Sequence, residues 1–316
     1  MASDGDRGGG LVCVTGGSGF IGNWLVRRLL SAAATPCTPP SRTSVRDMLS
    51  ALAEDEGETK HLQALDGAGP RLRLFQMDLL DPASMRPAVE GARGVFHLAS
   101  PKELVEPAVK GTLSVLRAAK DCGVGRVVMV SSQTTMVPKS QVASRQGRRR
   151  GLLGRHGHPQ ETPEKAAWDF AEKQGLQLAV LNPALVLGPT LTPSITASLQ
   201  VFLQIMEGKR FDMDEYFHGC VDVRDVAQSL VALYEDSSAQ GRHLCLESAE
   251  RMVDFTNKLA DLYPELPVQR IREDKQEWVD RAKDPSKKFI KLGVHFIPFD
   301  KTITDTVDCF RSKGLI

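Results

Sequence analysis

Short apolar runs alternate along much of the chain with longer segments in which apolar residues recur at helical spacing. The first run, Leu11–Thr15, ends at a glycine, and the following segment Phe20–Leu30 places Ile21, Leu25 and Leu29 on one face of a helix. The same pattern predicts strands over Leu72–Met77, Gly94–Ala99, Arg126–Ser131 and Leu176–Leu181, and helices over Val105–Cys122 and Glu164–Gln174. Strands that alternate with helices predict parallel βαβ units with right-handed crossovers.

After Gly188-Pro189 this alternation loosens into a mixture of short helices and strands. We therefore predict an α/β protein. A doubly wound parallel sheet is expected over residues 1–188, and a smaller domain of mixed α/β character over residues 189–316.

Two segments, residues 35–44 and 141–162, depart from this pattern. A second parallel strand is expected between the first helix and the helical-looking Val45–Ala53, but Thr35–Ser41 holds three prolines within five residues. Proline is a poor central-strand residue because it cannot donate a ladder hydrogen bond. The second segment is rich in Arg and Gly and has no apolar periodicity.

The turn between the first strand and the first helix carries the clearest chemical signal. Its glycines, Gly16, Gly19 and Gly22, give GxxGxxG. Glycine allows a tight turn and a close backbone approach to a pyrophosphate, which then lies at the positive end of the helix dipole. Because this turn follows a strand and opens a helix in a βαβ series, it predicts dinucleotide binding; a structural turn is the alternative.

The charges after this helix favour NADP(H). No Asp or Glu lies between Asp6 and Asp47, where an NAD site usually has an acidic residue for the ribose hydroxyls. Arg42 and Arg46 do lie there, and a guanidinium suits a 2′-phosphate, so we predict Arg46 as a cofactor ligand. The alternative is that both arginines are solvated surface charges.

Composition excludes several protein classes. The 316 residues include 40 Lys+Arg and 39 Asp+Glu, so the net charge of +1 gives no general reason to expect nucleic acid or an acidic membrane as a partner. None of the six cysteines forms a CxxC pair, and we expect no metal site. With neither a signal peptide nor a membrane-spanning apolar stretch, a cytoplasmic protein is the expectation.

The small net charge is the sum of one basic segment and a more acidic remainder of the chain. No Asp or Glu occurs from Cys122 to Gln160, whereas seven Lys or Arg do. The run Arg148–Arg150 is typical of a nuclear-localisation or nucleic-acid patch. Neither aromatic residues nor a nucleic-acid-binding fold accompanies it, so nucleic acid is not the expected partner.

Several motifs together resemble one known family. They are VCVTGGSGFIGNWLVRRLL, DLLDPASM, GVFHLASP, VEPAVKGTLSVLRAA, RVVMVSSQ, EKAAWDFAE, LNPALVLGPTL, VDVRDVAQSL and DTVDCFRSKGLI. In this order they resemble the plant cinnamoyl-CoA reductase-like and dihydroflavonol reductase-like proteins, which are extended short-chain dehydrogenases/reductases. The resemblance implies that residues 1–188 form an NADP(H)-binding Rossmann domain and that residues 189–316 are a smaller substrate-binding region. It also implies reduction of a carbonyl or thioester of a phenylpropanoid- or flavonoid-like small molecule.

The resemblance also implies roles for individual residues. Gly16, Gly19, Phe20, Ile21 and Gly22 would form the pyrophosphate turn, Asp78 and Leu79 would hold adenine, Ala99 and Ser100 would line the ribose, Pro183 and Val186 would lie beside nicotinamide, and Ser132 would be the catalytic serine on the substrate carbonyl. Two alternatives stay open: Asp78 as a strand-end cap and Ser132 as a turn hydroxyl.

The family's YxxxK motif is missing. Its Tyr protonates the carbonyl oxygen, and its Lys lowers the Tyr pKa from one helical turn away. The chain's tyrosines, Tyr216, Tyr234 and Tyr263, are each followed four residues later by a residue other than Lys. The matching positions hold His156 and Gln160.

Both of these positions precede Thr162-Pro163, which is typical of a helix N-cap and first helical residue. We therefore predict that His156 and Gln160 lie in a loop without fixed spacing. A His156 or His158 side chain acting as the acid is the alternative.

These observations predict an NADP-dependent reductase whose turnover is severely reduced, with a non-catalytic NADP-binding protein as the alternative. We interpret residues 35–44 and 141–162 as products of a reading-frame or splice-boundary error, since family-like sequence stops and restarts at both. A sequence of the NWYCY type, typical of true cinnamoyl-CoA reductases, is also absent. The substrate is therefore predicted only at subfamily level, and the oligomeric state is left open.

Overall fold

The computed structural model describes residues 10–32, 48–52, 59–99, 105–136, 162–192, 194–209, 217, 219–271 and 284–316. For residues 32 and 48–52 it describes the backbone alone. No helix within these ranges is long and apolar enough to cross a membrane.

Within the described ranges, seven parallel strands form one sheet in the order β3-β2-β1-β4-β5-β6-β9. They are β1 (Val12–Thr15), β2 (Met48–Leu52), β3 (Leu72–Gln76), β4 (Gly94–His97), β5 (Arg126–Val130), β6 (Leu178–Pro183) and β9 (Gly241–Cys245), while β7 (Leu185–Leu187) and β8 (Cys220–Asp222) pair separately. The order reverses between β1 and β4, which is the switch point where Rossmann folds bind dinucleotides. The predicted fold class is confirmed.

Helices cover both faces of this sheet. They are α1 (Phe20–Ala32), α2 (Lys60–Gln63), α3 (Ala68–Arg71), α4 (Pro82–Val89), α5 (Val105–Asp121), α6 (Pro163–Gln174), α7 (Ala197–Met206), α8 (Val223–Glu235), α9 (Met252–Leu262), α10 (Lys287–Lys291) and α11 (Phe299–Ser312). On one face Leu25 of α1 and Leu230 of α8 share a buried cluster with Phe96. On the other, Val115 of α5 and Ala167 of α6 pack with Val127. Apolar side chains from alternate strand positions therefore point into two separate cores.

The second strand corrects the sequence prediction. Val45–Ala53 has a helical pattern, yet Met48–Leu52 within it forms β2, and the proline-rich segment expected to supply the strand lies outside the described residues. β2 lies between β1 and β3, with Val12 opposite Met48 and Met48 opposite Leu72. Ladder hydrogen bonds on both edges outweigh a weak helical preference over five residues. The second strand is thus present in the sheet although prolines precede it in the chain.

Other boundaries differ by one to two residues. The fifth predicted strand, Leu176–Leu181, begins and ends two residues later as β6 (Leu178–Pro183). The predicted start of α6 is confirmed, since the Thr162 hydroxyl accepts the amide of Lys165 at 3.1 Å and Pro163 is the first helical residue.

The chain after Gly188 supplies a strand and a helix to the large sheet, as well as the smaller C-terminal region. β9 pairs with β6, so that Ala179 lies opposite Gly241, and α8 packs against α1 on the sheet. The large sheet thus takes strands from both sides of Gly188. The division into two domains at that residue stays a prediction.

Candidate functional site

The glycine turn lies at the carboxyl end of β1 and is closed by its own backbone. The amide of Gly19 donates to the carbonyl of Gly16 at 3.0 Å. Gly16 has φ +73°, and a Cβ there would lie 2.9 Å from the backbone nitrogen of Ala99. A Cβ on Gly22 would lie 2.1 Å from the carbonyl oxygen of Gly16. Both positions therefore need glycine, one for its conformation and both for close backbone approach.

Asn23 reinforces this turn, although the sequence pattern gave no sign of it. Its Nδ2 donates to the carbonyl of Ser18 at 2.7 Å and to that of Gly19 at 2.9 Å, and the side chain is fully buried. Phe20 and Ile21 begin α1 directly after the turn. The amides at the start of α1 thus face the open end of the sheet, where a pyrophosphate fits the helix dipole.

A buried histidine connects β1, β4 and α5 beneath the turn. Nδ1 of His97 lies 2.8 Å from the hydroxyl of Thr15, and its Nε2 lies 3.1 Å from the hydroxyl of Thr112. Thr15 also accepts the amide of Ala99 at 3.3 Å. Burial lowers the pKa of His97 to about 4, so the imidazole is neutral at ordinary pH. This chain of hydrogen bonds fixes the strand end at Ala99 against Gly16; Ser100 lies outside the described residues.

Asp78 and Leu79 form a tight turn after β3. Oδ1 of Asp78 accepts the amide of Leu80 at 2.8 Å, and the backbone nitrogen of Asp78 donates to the hydroxyl of Ser84 at 3.1 Å. Leu79 packs against Gly111 of α5, where an added Cβ would lie 3.0 Å from the Leu79 Cβ. Asp78 therefore has the strand-end capping role that was its structural alternative. The same cap leaves its second carboxylate oxygen without a described partner.

Two adjacent serines follow β5 and have different surroundings. The hydroxyl of Ser131 donates to Oε2 of Glu164 at 2.5 Å. Oγ of Ser132 accepts the amide of Thr134 at 3.2 Å and its hydroxyl at 3.0 Å, within a short 3-10 helix over Gln133–Met136. Ser132 is thus a turn hydroxyl by its contacts, and among the described residues its own hydrogen has no acceptor.

The Glu164 carboxylate accepts hydrogen bonds from several side chains near the two serines. Its side chain is 1% exposed, and besides Ser131 it accepts the hydroxyl of Thr135 at 2.7 Å and Nδ2 of Asn182 at 3.0 Å. Arg242 of β9 forms a salt bridge with its other oxygen. Desolvation would raise the pKa of Glu164, but the hydrogen bonds from Ser131 and Thr135 and the Arg242 charge outweigh it and lower the pKa. Glu164, Asn182 and Arg242 were all missed from the sequence, because each comes from a different element.

The two described tyrosines lie away from this site. The ring of Tyr234 lies against Gly94 and Phe96, and Gly94 is at the amino end of β4, whereas Ser132 follows the carboxyl end of the neighbouring parallel strand β5. Tyr263 follows α9, and its ring lies 5.6 Å from the guanidinium of Arg311. Both described tyrosines thus pack against other residues, and the absence of the family's proton donor stays a prediction.

Other predicted residues have mixed outcomes. Pro183 is the last residue of β6, the strand next to β5, and Val186 lies in β7 of the separate two-stranded sheet; both side chains are buried. Several residues named in the sequence analysis lie outside the described ranges, among them Arg42, Arg46, Ser100, His156, His158, Gln160 and Tyr216. In the chain Arg46 comes two residues before β2, whereas cofactors bind beyond the carboxyl ends of parallel strands. Its role as a phosphate ligand stays a prediction.

Comparisons with known proteins agree with this geometry. The model of the NAD dependent epimerase/dehydratase family matches residues 12–245. Cinnamoyl-CoA reductase 1 of Petunia hybrida is 35% identical over 97% of this chain and 93% of its own length. Tetraketide alpha-pyrone reductase 1 of Arabidopsis thaliana is 31% identical over 98% of each chain.

Solved structures give the same result. Vestitone reductase from alfalfa superposes with a TM-score of 0.77 at 25% identity, covering 97% of this chain and all of that one. The yeast reductase Gre2, solved with NADPH, superposes with a TM-score of 0.69 at 21% identity over 96% of this chain, which shows a shared fold.

Proposed function

The chain belongs to the NAD dependent epimerase/dehydratase family, among the cinnamoyl-CoA reductase-like and dihydroflavonol reductase-like extended short-chain dehydrogenases/reductases, and we propose that it binds NADP(H) and a carbonyl compound of the phenylpropanoid or flavonoid type. The observation that carries this proposal is the position of two features at the carboxyl ends of the strands. The glycine turn follows β1, where the strand order reverses, and Ser132 follows β5, two strands away in the same sheet. The reductases among its relatives support the same reaction class.

The described residues suit such a dinucleotide. The open start of α1 would take the pyrophosphate, and the close contact between Gly16 and Ala99 leaves backbone for the ribose to lie against. Asp78, with one carboxylate oxygen unused, would accept the exocyclic amine of adenine. When bound, NADPH supplies the hydride for carbonyl reduction.

The protein's own contribution is to position the carbonyl and stabilise its oxygen. Ser132 would donate its hydrogen to that oxygen, which becomes negative as hydride arrives. The buried Pro183, at the end of β6, and the buried Val186, in β7, would exclude water from one side of the reacting carbon. No described tyrosine or lysine lies beside Ser132 to supply the proton, so we expect slow turnover.

A second candidate function is NADP(H) binding without catalysis. It is favoured by one observation: Tyr234 and Tyr263 both lie away from the serine. A general acid accelerates a reaction about 10²- to 10⁴-fold, so a reductase that loses its general acid should lose turnover rate by that factor.

One experiment separates these functions. NADPH and NADH binding are measured by fluorescence titration of the full chain. NADPH oxidation is then followed with coniferaldehyde, feruloyl-CoA and dihydroquercetin. Binding with turnover that Ser132→Ala abolishes supports the reductase, and binding without turnover supports the second candidate. Absence of binding to either nucleotide contradicts both.

A further inference from the structure

Four hydroxyl groups crowd the segment after β5, and their hydrogens are unequally committed. Ser131 donates to Oε2 of Glu164 at 2.5 Å. Oγ1 of Thr135 lies 2.7 Å from both the carbonyl oxygen of Ser132 and Oε2 of Glu164, so its one hydrogen is shared between these two acceptors. Thr134 donates to Oγ of Ser132 at 3.0 Å. Among the described residues, the hydrogen of Ser132 alone in this segment has no acceptor.

The acceptor capacity of Ser132 is also full. A serine oxygen has two acceptor lone pairs and one hydrogen. The amide and the hydroxyl of Thr134 both donate to Oγ of Ser132, at 3.2 Å and 3.0 Å. The one hydrogen-bonding capacity left to Ser132 is donation, and its hydrogen must point away from Thr134.

The backbone of Ser132 is held separately. Its carbonyl accepts Nδ2 of Asn182 at 3.2 Å as well as the Thr135 hydroxyl at 2.7 Å. Asn182 is fully buried and also contacts Glu164. The position of Ser132 therefore depends on these buried groups, whereas the direction of its hydroxyl depends on the exposed Thr134.

We propose that Thr134 is a positioning residue, which fills the acceptor sites of Ser132 and so presents the serine as a pure hydrogen-bond donor to a substrate carbonyl. The proposal rests on the proposed function, because it needs a carbonyl to receive the hydrogen. A carbonyl oxygen accepts but cannot donate, so a serine with one free hydrogen and no free lone pair matches it. An alcohol or an amine that needs an acceptor at this point is disfavoured.

Preorganisation is the physical benefit. A free hydroxyl has several orientations, and a ligand that requires one of them loses that freedom on binding. The two donors from Thr134 remove the alternatives before the ligand arrives. A donor already aimed at the position of developing charge needs no reorganisation during the reaction.

The test uses coniferaldehyde with a ¹³C-labelled carbonyl, bound to the full chain in the presence of NADP⁺. Its carbonyl stretch is measured by infrared difference spectroscopy and its dissociation constant by titration. The variants are Thr134→Val, which has the same shape without the hydroxyl, Thr134→Ser, which keeps the hydroxyl, and Ser132→Ala, which removes the donor. NADPH binding is measured on each variant.

The expected result is a lower carbonyl frequency in the wild type and in Thr134→Ser than in Ser132→Ala, with Thr134→Val between them. Aldehyde affinity should fall about two- to tenfold in Ser132→Ala and by a smaller factor in Thr134→Val, because one net hydrogen bond contributes on this scale. Rescue by Thr134→Ser distinguishes a hydroxyl effect from a packing effect.

Two results overturn the proposal: equal frequencies in the wild type and Thr134→Val, and a wild type that binds no aldehyde. NADPH titration tells these failures apart from failure of the proposed function. A chain that binds NADPH but shows no Thr134 effect loses the positioning role alone, whereas a chain that binds no nucleotide loses the proposed function as well.

Discussion

The hydroxyl of Ser131, directly after β5, donates to the buried carboxylate of Glu164, in the first turn of α6, at 2.5 Å. This contact spans the segment 137–161, which includes most of the family-unlike sequence. Glu164 also binds Asn182 of β6 and Arg242 of β9. The hydroxyl segment Ser131–Thr135, which precedes residues 137–161, is thus held by Glu164, a residue that follows them, and its described contacts do not involve that stretch.

Glu164→Ala should destabilise the protein by about 1–3 kcal/mol, because it leaves the neutral donors Ser131, Thr135 and Asn182 without their acceptor, while the half-exposed Arg242 can be solvated. Urea unfolding of the variant measures this, with Glu172→Ala, an exposed residue of the same helix, as the control. The lowered pKa of Glu164 means that its contribution is present above the unfolded value, about 4.5, and is lost as pH falls through the folded value. The wild type and Glu164→Ala should therefore converge in strong acid. Equal unfolding midpoints at pH 7 would contradict this prediction.

The glycine turn and the N-cap of α6 could be predicted from the sequence, because both are local. Three glycines at fixed spacing require the turn that Gly16 and Gly22 form, and Thr162-Pro163 determines the start of α6 through neighbouring atoms. Local apolar runs likewise predicted the ends of most strands to within two residues.

The failures are non-local. Met48–Leu52 is a strand because β1 and β3 bind it on both edges, and no pattern within the five residues indicates this. The contacts of His97 with Thr15 and Thr112, and of Glu164 with Arg242, join residues that are 15 to 82 positions apart in the chain. A buried polar residue becomes recognisable when its partners are known, so sequence alone could name Ser132 but not what orients it.

Gly22→Ala should weaken NADPH binding at least tenfold. Its Cβ would lie 2.1 Å from the carbonyl oxygen of Gly16, so the turn must open and move the start of α1. Gly69→Ala is the matched control, because a Cβ there has no neighbour within 4 Å. Fluorescence titration with NADPH measures both variants, and a Gly22→Ala protein that binds as the wild type does would show that the turn is not the pyrophosphate site.

His97 should make the protein sensitive to mild acid. Its folded pKa of about 4 is below the unfolded value of 6.5, so protonation favours unfolding. The stability from the neutral imidazole is complete above pH 6.5 and is lost as pH falls towards 4, a change of about 3 kcal/mol.

The measurement is the pH dependence of unfolding for His97→Gln and, as control, for the exposed His295→Gln. The advantage of the wild type over His97→Gln should shrink between pH 6.5 and 4, while His295→Gln follows the wild type. NMR of the His97 ring should show a neutral imidazole at pH 5.5. A ring that is charged at that pH is incompatible with the prediction.

Asp225 should act in the opposite sense and destabilise the protein at neutral to alkaline pH. It is 2% exposed, in the first turn of α8, and its carboxylate accepts the amide of Ile297 at 2.8 Å. Desolvation raises the pKa of Asp225 to about 7; the Ile297 amide lowers it, the nearby Asp222 and Glu247 raise it, and Arg224 lowers it. The folded pKa is above the unfolded 3.8, so the folded state holds the proton more tightly, and stability falls as pH rises from about 4 to about 7.

Asp225→Asn removes this titration and keeps an oxygen that can accept the Ile297 amide. Relative to the wild type, the variant should gain about 2–4 kcal/mol in free energy of unfolding between pH 4 and pH 8, because the wild type must hold an ionised carboxylate in a buried site at the higher pH. Urea unfolding at pH 4.5, 6, 7 and 8 gives the profile. Asp308→Asn, an exposed residue of α11, serves as the control and should leave the profile of the wild type unchanged. A constant difference between Asp225→Asn and the wild type across this range would show that Asp225 is already ionised in the folded protein at pH 4.5, and that the Ile297 amide stabilises its charge more than burial opposes it.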